Sequence, residues 1–272
     1  MSVEELIIYG KKFLHTLEAK MLLANLLGYD TLELLNHLDE KVEDEKIKKY
    51  KDAIEKVIKK EPIQYVIGNV NFFGNEFDVN ENVLIPRFET EELVDRVINF
   101  IEKNFYDARN LIDLGCGSGV IGITIAKKFP YLEVTCLDIS DKALETTKKN
   151  AVKLNVNINV IKGDMLDNVD SKFDIIVSNP PYIKENEEIE DIVKNNEPHL
   201  ALYGGVDGLF YYKKILKRAK EVVNDKFLIA FEIGYTQRDD IILIAREYFK
   251  YETIEAFKDM SGKDRIIFIY NV

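Results

Sequence analysis

Four consecutive residues, Asn179-Pro180-Pro181-Tyr182, combine a side-chain amide, two rigid backbone positions and a flat aromatic ring. Each proline fixes its own φ and lacks an N–H. Each also pushes the residue before it out of the helical region. Asn179 and Pro180 are therefore expected to be extended, with carbonyl groups that can face a cleft. The Asn179 side chain adds an amide oxygen, an acceptor with two lone pairs. Two acceptors held rigidly together suit the two N–H bonds of a planar –NH2 group and leave the remaining face of its nitrogen free. Tyr182 offers a surface on which a planar group can stack. Taken alone, the tetrapeptide also reads as a turn ending a core strand, with Asn179 as a local cap. The preceding run, Phe173-Asp174-Ile175-Ile176-Val177-Ser178, reads as a buried strand bounded by breakers. The four residues then fall at the carboxyl edge, where open α/β sheets bind ligands.

A second constellation is Gly115-Cys116-Gly117-Ser118-Gly119, between a strand pattern at 111–114 and a helical pattern at 120–128. Glycines let the backbone turn tightly and let a ligand lie against it at a helix start. Asp138, about 20 residues on at the end of the next strand, is placed to accept hydrogen bonds from ribose hydroxyls. Gly115, Gly117 and Gly119 fit the G-x-G-x-G loop of S-adenosylmethionine (SAM) enzymes. Gly117, Gly119 and Gly122 also fit the dinucleotide fingerprint. The glycines alone leave the cofactor open. Gly163-Asp164-Met165 after the third strand, in the region of an adenine ring, and the tetrapeptide after the fourth favour SAM.

These motifs need elements to hold them. Residues 1–62 read as a helical domain, in which Leu6, Ile7, Phe13, Leu14 and Leu17 keep one face apolar and Gly28 is a C-cap. Residues 63–82 read as a β-hairpin linker: alternation runs from Gln64 to Asn80, with Gly74-Asn75 between the halves. From residue 83 to 272 strands and helices alternate, which means an α/β domain with a parallel, doubly wound sheet of seven strands. Within it Thr90 reads as the N-cap of a helix that starts with Glu91 and Glu92. Lys184 to Asp207 reads as a long acidic loop, a lid, a docking surface or a solvated segment.

The chain has 48 acidic against 37 basic residues and a net charge of −11. That balance argues against stable nucleic-acid binding, which needs Lys and Arg to neutralise phosphates. The two cysteines, Cys116 and Cys136, form no disulfide framework and read as buried small hydrophobes of a reducing compartment. His15, His37 and His199 fit no metal-ligand spacing, so no metal is expected. No signal peptide and no run approaching the ~20 apolar residues of a membrane span is evident. A cytoplasmic protein off the membrane is expected, and a monomer.

The sequence resembles the HemK/PrmC family of protein-glutamine N5-methyltransferases over nearly its whole length. Asp113 to Gly119 resembles motif I of class I methyltransferases. Glu61 to Gly68, Phe73 to Phe77, Val83 to Glu91, Asp138-Ile139-Ser140, Ser178 to Ile183, Glu197-Pro198, Gly204-Gly205, Asp207-Gly208-Leu209, Phe231 to Gly234 and Asp264-Arg265 resemble the family in order. Phe88 stands where the family usually has a second proline, and Met165 where some members carry an aromatic residue.

The resemblance implies a SAM-dependent enzyme that methylates the glutamine at the Gly-Gly-Gln tip of peptide chain release factors. Asn179 and the Pro180 carbonyl then bind the amide hydrogens, and Tyr182 and Pro181 pack on the substrate. SAM is held by Gly115, Cys116, Gly117, Ser118, Gly119, Asp138, Asp164, Met165 and Asn179. The rival readings are a ribosomal-protein glutamine methyltransferase, a DNA adenine-N6 or rRNA guanine methyltransferase, and a module that binds SAM without turnover. The first shares the chemistry, and the nucleic-acid enzymes are opposed by the charge.

Overall fold

Residues 1–272 are all described by the computed structural model, which divides into two units, Met1–Asn69 with Glu190–Asn196, and Val70–Ile189 with Glu197–Val272. The first unit is built from helices α1 (Val3–Gly10), α2 (Thr16–Leu27), α3 (Asp44–Ile58) and α4 (Ile63–Ile67). Ser2 and Glu5 cap α1 reciprocally: the Ser2 Oγ accepts from Glu5 N, and the Glu5 carboxylate accepts from Ser2 N. Gly28, at φ 83°, closes α2 as the sequence led one to expect. Leu6, Leu23, Leu34, Tyr50 and Ile54 form the core of this unit, and the Tyr50 hydroxyl donates to the Ala19 carbonyl at 3.1 Å.

Two expectations for this region are corrected. Phe13 and Leu17 do not continue the apolar face but are 50% and 61% exposed. Helix α1 ends at Gly10, so the turn after it breaks the 3.6-residue period. Tyr65 and Ile67 lie not in a strand but in α4, which Gly68 ends at φ 87°. The hairpin is shorter, β1 (Asn69–Phe72) and β2 (Asn75–Asp78). Its turn residues Phe73 (φ 50°) and Gly74 (φ 72°) are both left-handed, as a type I′ turn requires.

The second unit holds α5 (Phe88–Asn104), β3 (Asn110–Leu114), α6 (Val120–Lys128), β4 (Glu133–Asp138), α7 (Asp141–Lys153), β5 (Asn159–Lys162) and β6 (Phe173–Ser178). After α8 (Asp191–Asn196), which groups with the first unit, come α9 (Phe210–Val222), β7 (Val223–Glu232), α10 (Arg238–Tyr248), β8 (Thr253–Lys258) and β9 (Asp264–Asn271). The strands form one sheet in the order β5-β4-β3-β6-β7-β9-β8, with β3 to β7 parallel and β9 antiparallel to both neighbours. This is the seven-stranded, doubly wound α/β architecture of the class I methyltransferases. Alternate strand residues feed two cores. Leu111, Ile175 and Val177 pack on one face with α5 and α6, and Ile112, Leu114 and Ile176 on the other with α9 and α10. Burial on both faces explains why these strands read as continuous apolar runs.

The sheet order reverses between β3 and β6, the switch point at which such sheets bind ligands. Leu114 and Ser178 are partners in register there, and the Ser178 hydroxyl donates to the Leu114 carbonyl at 2.7 Å. The glycine loop and the tetrapeptide thus leave adjacent strands side by side.

Helix α5 starts at Phe88 with Arg87 as its N-cap, so Thr90 is not the cap. Its hydroxyl is buried and engaged elsewhere. Phe88 takes the first helical position, where proline is favoured in general, and the helix start is kept without it. The segment 184–207 is not a structureless loop. It contains α8 and a 3-10 turn at His199–Ala201, Ile183 pairs with Tyr203, and Leu202 is buried.

Candidate functional site

The backbone of the tetrapeptide is held by close packing against two glycines. A Cβ on Gly204 would lie 2.5 Å from the Pro181 carbonyl oxygen, and one on Gly208 2.4 Å from that of Tyr182. Gln237 completes the clamp: its Nε2 donates to the carbonyls of Tyr182 (3.0 Å) and Gly208 (3.1 Å), and its Oε1 accepts from Gly234 N. Ile183 N donates to Leu202 O and Gly204 N to Ile183 O, so the chain beyond Tyr182 is also fixed. Pro180 is buried.

The side chains are ordered by a buried carboxylate. Thr90 Oγ1 donates to Glu232 Oε2 at 2.6 Å and accepts from Asn179 Nδ2 at 3.1 Å. With Nδ2 committed to Thr90, the acceptor Oδ1 is the free end of the Asn179 amide. The Tyr182 hydroxyl lies 3.5 Å from Glu232 Oε1, a long bond, and the Tyr212 hydroxyl donates to the Glu232 carbonyl at 2.8 Å. Burial pushes the Glu232 carboxyl up to about 7, against the Thr90 hydrogen bond and the Arg265 charge. Burial, and then the Glu232 charge, push the Tyr182 hydroxyl up as well.

A cavity of about 410 Å³ opens beside this framework, lined by Gly115, Gly117, Asp138, Asp164, Met165 and Asn179, with Pro181 on the same wall. Gly115 (φ 68°), Gly117 (57°) and Gly119 (81°) are left-handed, which only glycine adopts without strain. The loop is anchored on both sides. Asp138 accepts from Gly117 N and from Ser140 N, both at 2.9 Å, while the Thr147 hydroxyl donates to Gly117 O and Asn150 Nδ2 to Ser118 O. Met165, itself at φ 53°, turns its methyl toward Gly115, 3.7 Å from where a Cβ would stand. Asp164 is paired with Lys214 at 2.6 Å.

Cys116, Ser118 and Gly119 do not line this cavity. The Cys116 thiol is buried 3.4 Å from the Thr147 hydroxyl, and Ser118 is also buried. Gly119 caps α6 where a Cβ would meet Ile123 and Thr147 at 2.8 Å.

Tyr182 lines a different cavity, of about 340 Å³, with Glu232, Arg87, Glu89, Lys184 and Arg265. Arg87 is held by the buried Glu197, whose other oxygen accepts from Ile85 N, and Arg265 by Asp259. The tetrapeptide therefore spans two cavities, with Asn179 and Pro181 on the first and Tyr182 on the second.

Behind the glycine loop, Asp113 accepts from Gly122 N at 2.9 Å through Oδ2, while Oδ1 has no partner. Burial raises this carboxyl from 3.8 to about 7. Between those values the folded chain keeps a proton that the unfolded chain has released, so this group lowers stability as pH rises through the window. Asp113→Asn removes the titration. Its melting temperature relative to wild type is expected to be higher at pH 8 than at pH 5, and an equal difference at both pH values contradicts this account.

Residues 72–206 match the family described as Methyltransferase small domain, and residues 13–68 that described as PrmC N-terminal domain. Release factor glutamine methyltransferase of Clostridium botulinum is 41% identical over 93% of this chain and 91% of its own. The chain belongs to the release factor glutamine methyltransferase family. The protein of the same description from Bacillus subtilis is 38% identical over 92% of this chain and 89% of its own. Among solved structures, a methyltransferase from Pyrococcus furiosus superposes with a TM-score of 0.53 at 20% identity, over 73% of this chain and 89% of that one. Ribosomal protein L11 methylase from Lactobacillus delbrueckii gives 0.50 at 23%, over 70% and 82%. These two share the chain's α/β fold.

The residues around the first cavity fit the family's methyl donor. A left-handed glycine cradle admits a ligand against the backbone, the Asp138 carboxylate has lone pairs left for hydroxyls, and the Met165 thioether is a soft apolar surface for a ring. Sequence reasoning missed Thr90, Gln237, Thr147 and Asn150, which tie the motifs in place. Glu232 carried a signal, an acid ending an otherwise apolar strand pattern at 226–232.

Proposed function

We propose that this chain transfers a methyl group from SAM to the side-chain amide nitrogen of a release-factor glutamine, at the factor's Gly-Gly-Gln tip. The observation that carries the reading is the placing of Asn179 and Tyr182, three residues apart, on two different cavities. One suits a nucleoside-bearing donor and the other a planar acceptor.

SAM, bound against the glycine cradle, supplies a methyl group on a sulfonium centre. An amide nitrogen is a poor nucleophile because its lone pair is delocalised. Asn179 Oδ1 and the Pro180 carbonyl accept its two N–H bonds and turn its remaining face toward the first cavity. Tyr182 stacks on the amide plane. Positioning supplies much of the acceleration, and the two acceptors stabilise positive charge growing on nitrogen as the N–C bond forms and the S–C bond of the sulfonium breaks. S-adenosylhomocysteine leaves as product, and one amide proton is lost after transfer. Asp138 and Asp164 hold the donor's polar groups, and Met165 packs on its base. The acceptor is protein: a net charge of −11 opposes nucleic acid. The catalytic residues lie wholly in the second unit, and we assign recognition of the factor's body to the helical first unit.

Methyl-labelled SAM offered together with a release factor, ribosomal proteins and duplex DNA tests the choice of acceptor. Label is expected on the release factor; label on DNA or a ribosomal protein instead overturns the reading.

A further inference from the structure

A catalytic asparagine has a weakness: its amide is nearly symmetric in shape, and a half-turn about its last bond exchanges acceptor for donor. Bonding its two N–H groups correctly is therefore a separate problem from placing its backbone. In this chain Asn179 Nδ2 donates to Thr90 Oγ1, which is buried, and the Thr90 proton is taken by Glu232 Oε2 at 2.6 Å. A hydroxyl has one proton. With Glu232 ionised that proton goes to the carboxylate, and Thr90 can only accept from Asn179. The polarity of this row of hydrogen bonds is then fixed from its far end, at a carboxylate carried by the last residue of β7.

We infer that Thr90 and Glu232 are positioning residues that set the rotamer polarity of Asn179, holding its oxygen toward the acceptor amide and its nitrogen away. This rests on the methyl-transfer reading above. Glu232 acts on Tyr182 too: its second oxygen faces the Tyr182 hydroxyl, so one buried carboxylate registers both side chains of the tetrapeptide. The groups turned toward it are Thr90 and Glu89 from the start of α5, Asn179 and Tyr182 after β6, Tyr212 from α9 and Arg265 from β9, and the Asn179 amide bonds to it directly as well as through Thr90. Arg265 offsets its charge, and the Arg265 Nη1 bond to the Ile233 carbonyl ties that guanidinium to the end of β7. Thr90 lines neither cavity, which separates its role from that of a substrate contact.

The test is the pair Thr90→Val and Thr90→Ser. Valine keeps the shape and deletes the hydroxyl, while serine keeps the hydroxyl. Losing an anchoring hydrogen bond at a buried polar group corresponds to roughly a tenfold to hundredfold effect. Expected for Thr90→Val is a kcat for methyl transfer to the release factor reduced by about that much, with the KM for the factor and the Kd for SAM within a few-fold of wild type. Thr90→Ser is expected to recover most of the lost kcat at an equal or lower melting temperature, a pattern that mere destabilisation does not give. A valine variant with kcat within about twofold of wild type, or a serine variant as slow as the valine one, overturns the inference. Wild-type protein that labels no release factor in the same assay overturns the underlying reading instead, so the two failures are distinct.

Discussion

Asn179→Ala lowers kcat for methyl transfer by roughly two to three orders of magnitude, while SAM binds with a Kd within a few-fold of wild type. The magnitude is that of removing one preorganised group aimed at charge that develops in the transition state. Asn179 lines the first cavity just after β6, whereas the glycine cradle follows β3 and Asp138 ends β4. Loss of its side chain removes an acceptor for the substrate and leaves the cradle intact. It also leaves Thr90 and Glu232 bonded to each other, so no buried charge is stranded. The expected signature is a large fall in kcat with normal SAM binding measured by calorimetry. Equal turnover in the variant contradicts the assignment of Asn179 to the acceptor amide.

Asp138→Ala produces the opposite split. Its carboxylate holds Gly117 N and Ser140 N, each at 2.9 Å, and keeps lone pairs free toward the cavity. Alanine releases the left-handed glycine loop from β4 and removes the acceptor for the donor's hydroxyls. Hydrogen bonds to a charged group contribute about 1.5–3 kcal/mol each. Loss of one such bond to the donor corresponds to about tenfold to hundredfold in the Kd for SAM. At saturating SAM kcat is expected to recover to within about tenfold of wild type, because the acceptor framework of Asn179, Thr90 and Glu232 lies on other elements, after β6, in α5 and at the end of β7. A Kd unchanged in calorimetry contradicts the assignment. The Asn179 and Asp138 variants are thus expected to separate the two halves of the proposed site: the first should bind and not turn over, and the second should turn over once it is forced to bind.

The parts of the molecule legible in the sequence are those whose causes are local. The run from Phe173 to Ser178 is apolar on both faces and is stopped by prolines, and β6 has those bounds. Three glycines at alternate positions forced a left-handed loop, and the helix after it covers Val120–Lys128. Asp138 was readable because a strand must end where its pattern stops. The illegible parts have distant causes. Thr90 has the composition of a helix cap, and only its partner, 142 residues away, makes it a tether. Gln237 looks like an ordinary helix start until Tyr182 and Gly208 are beside it. The short apolar stretch 63–67 fits a strand or one helical turn equally well by period, and the left-handed Gly68 decides for the turn. Phe13 and Leu17 have the right spacing for a buried face, but the helix they were meant to extend ends at Gly10. Cys116 and Ser118 belong to the glycine motif by position, while their side chains turn into the protein and leave the cavity to the backbone.

On the proposed reading a glutamine side chain of a release factor is the methyl acceptor. The most direct measurement incubates the pure protein with methyl-labelled SAM and a purified release factor, beside a copy of that factor whose Gly-Gly-Gln glutamine is changed to alanine. The account predicts label in the first and none in the second. Label in both, or in neither, contradicts it.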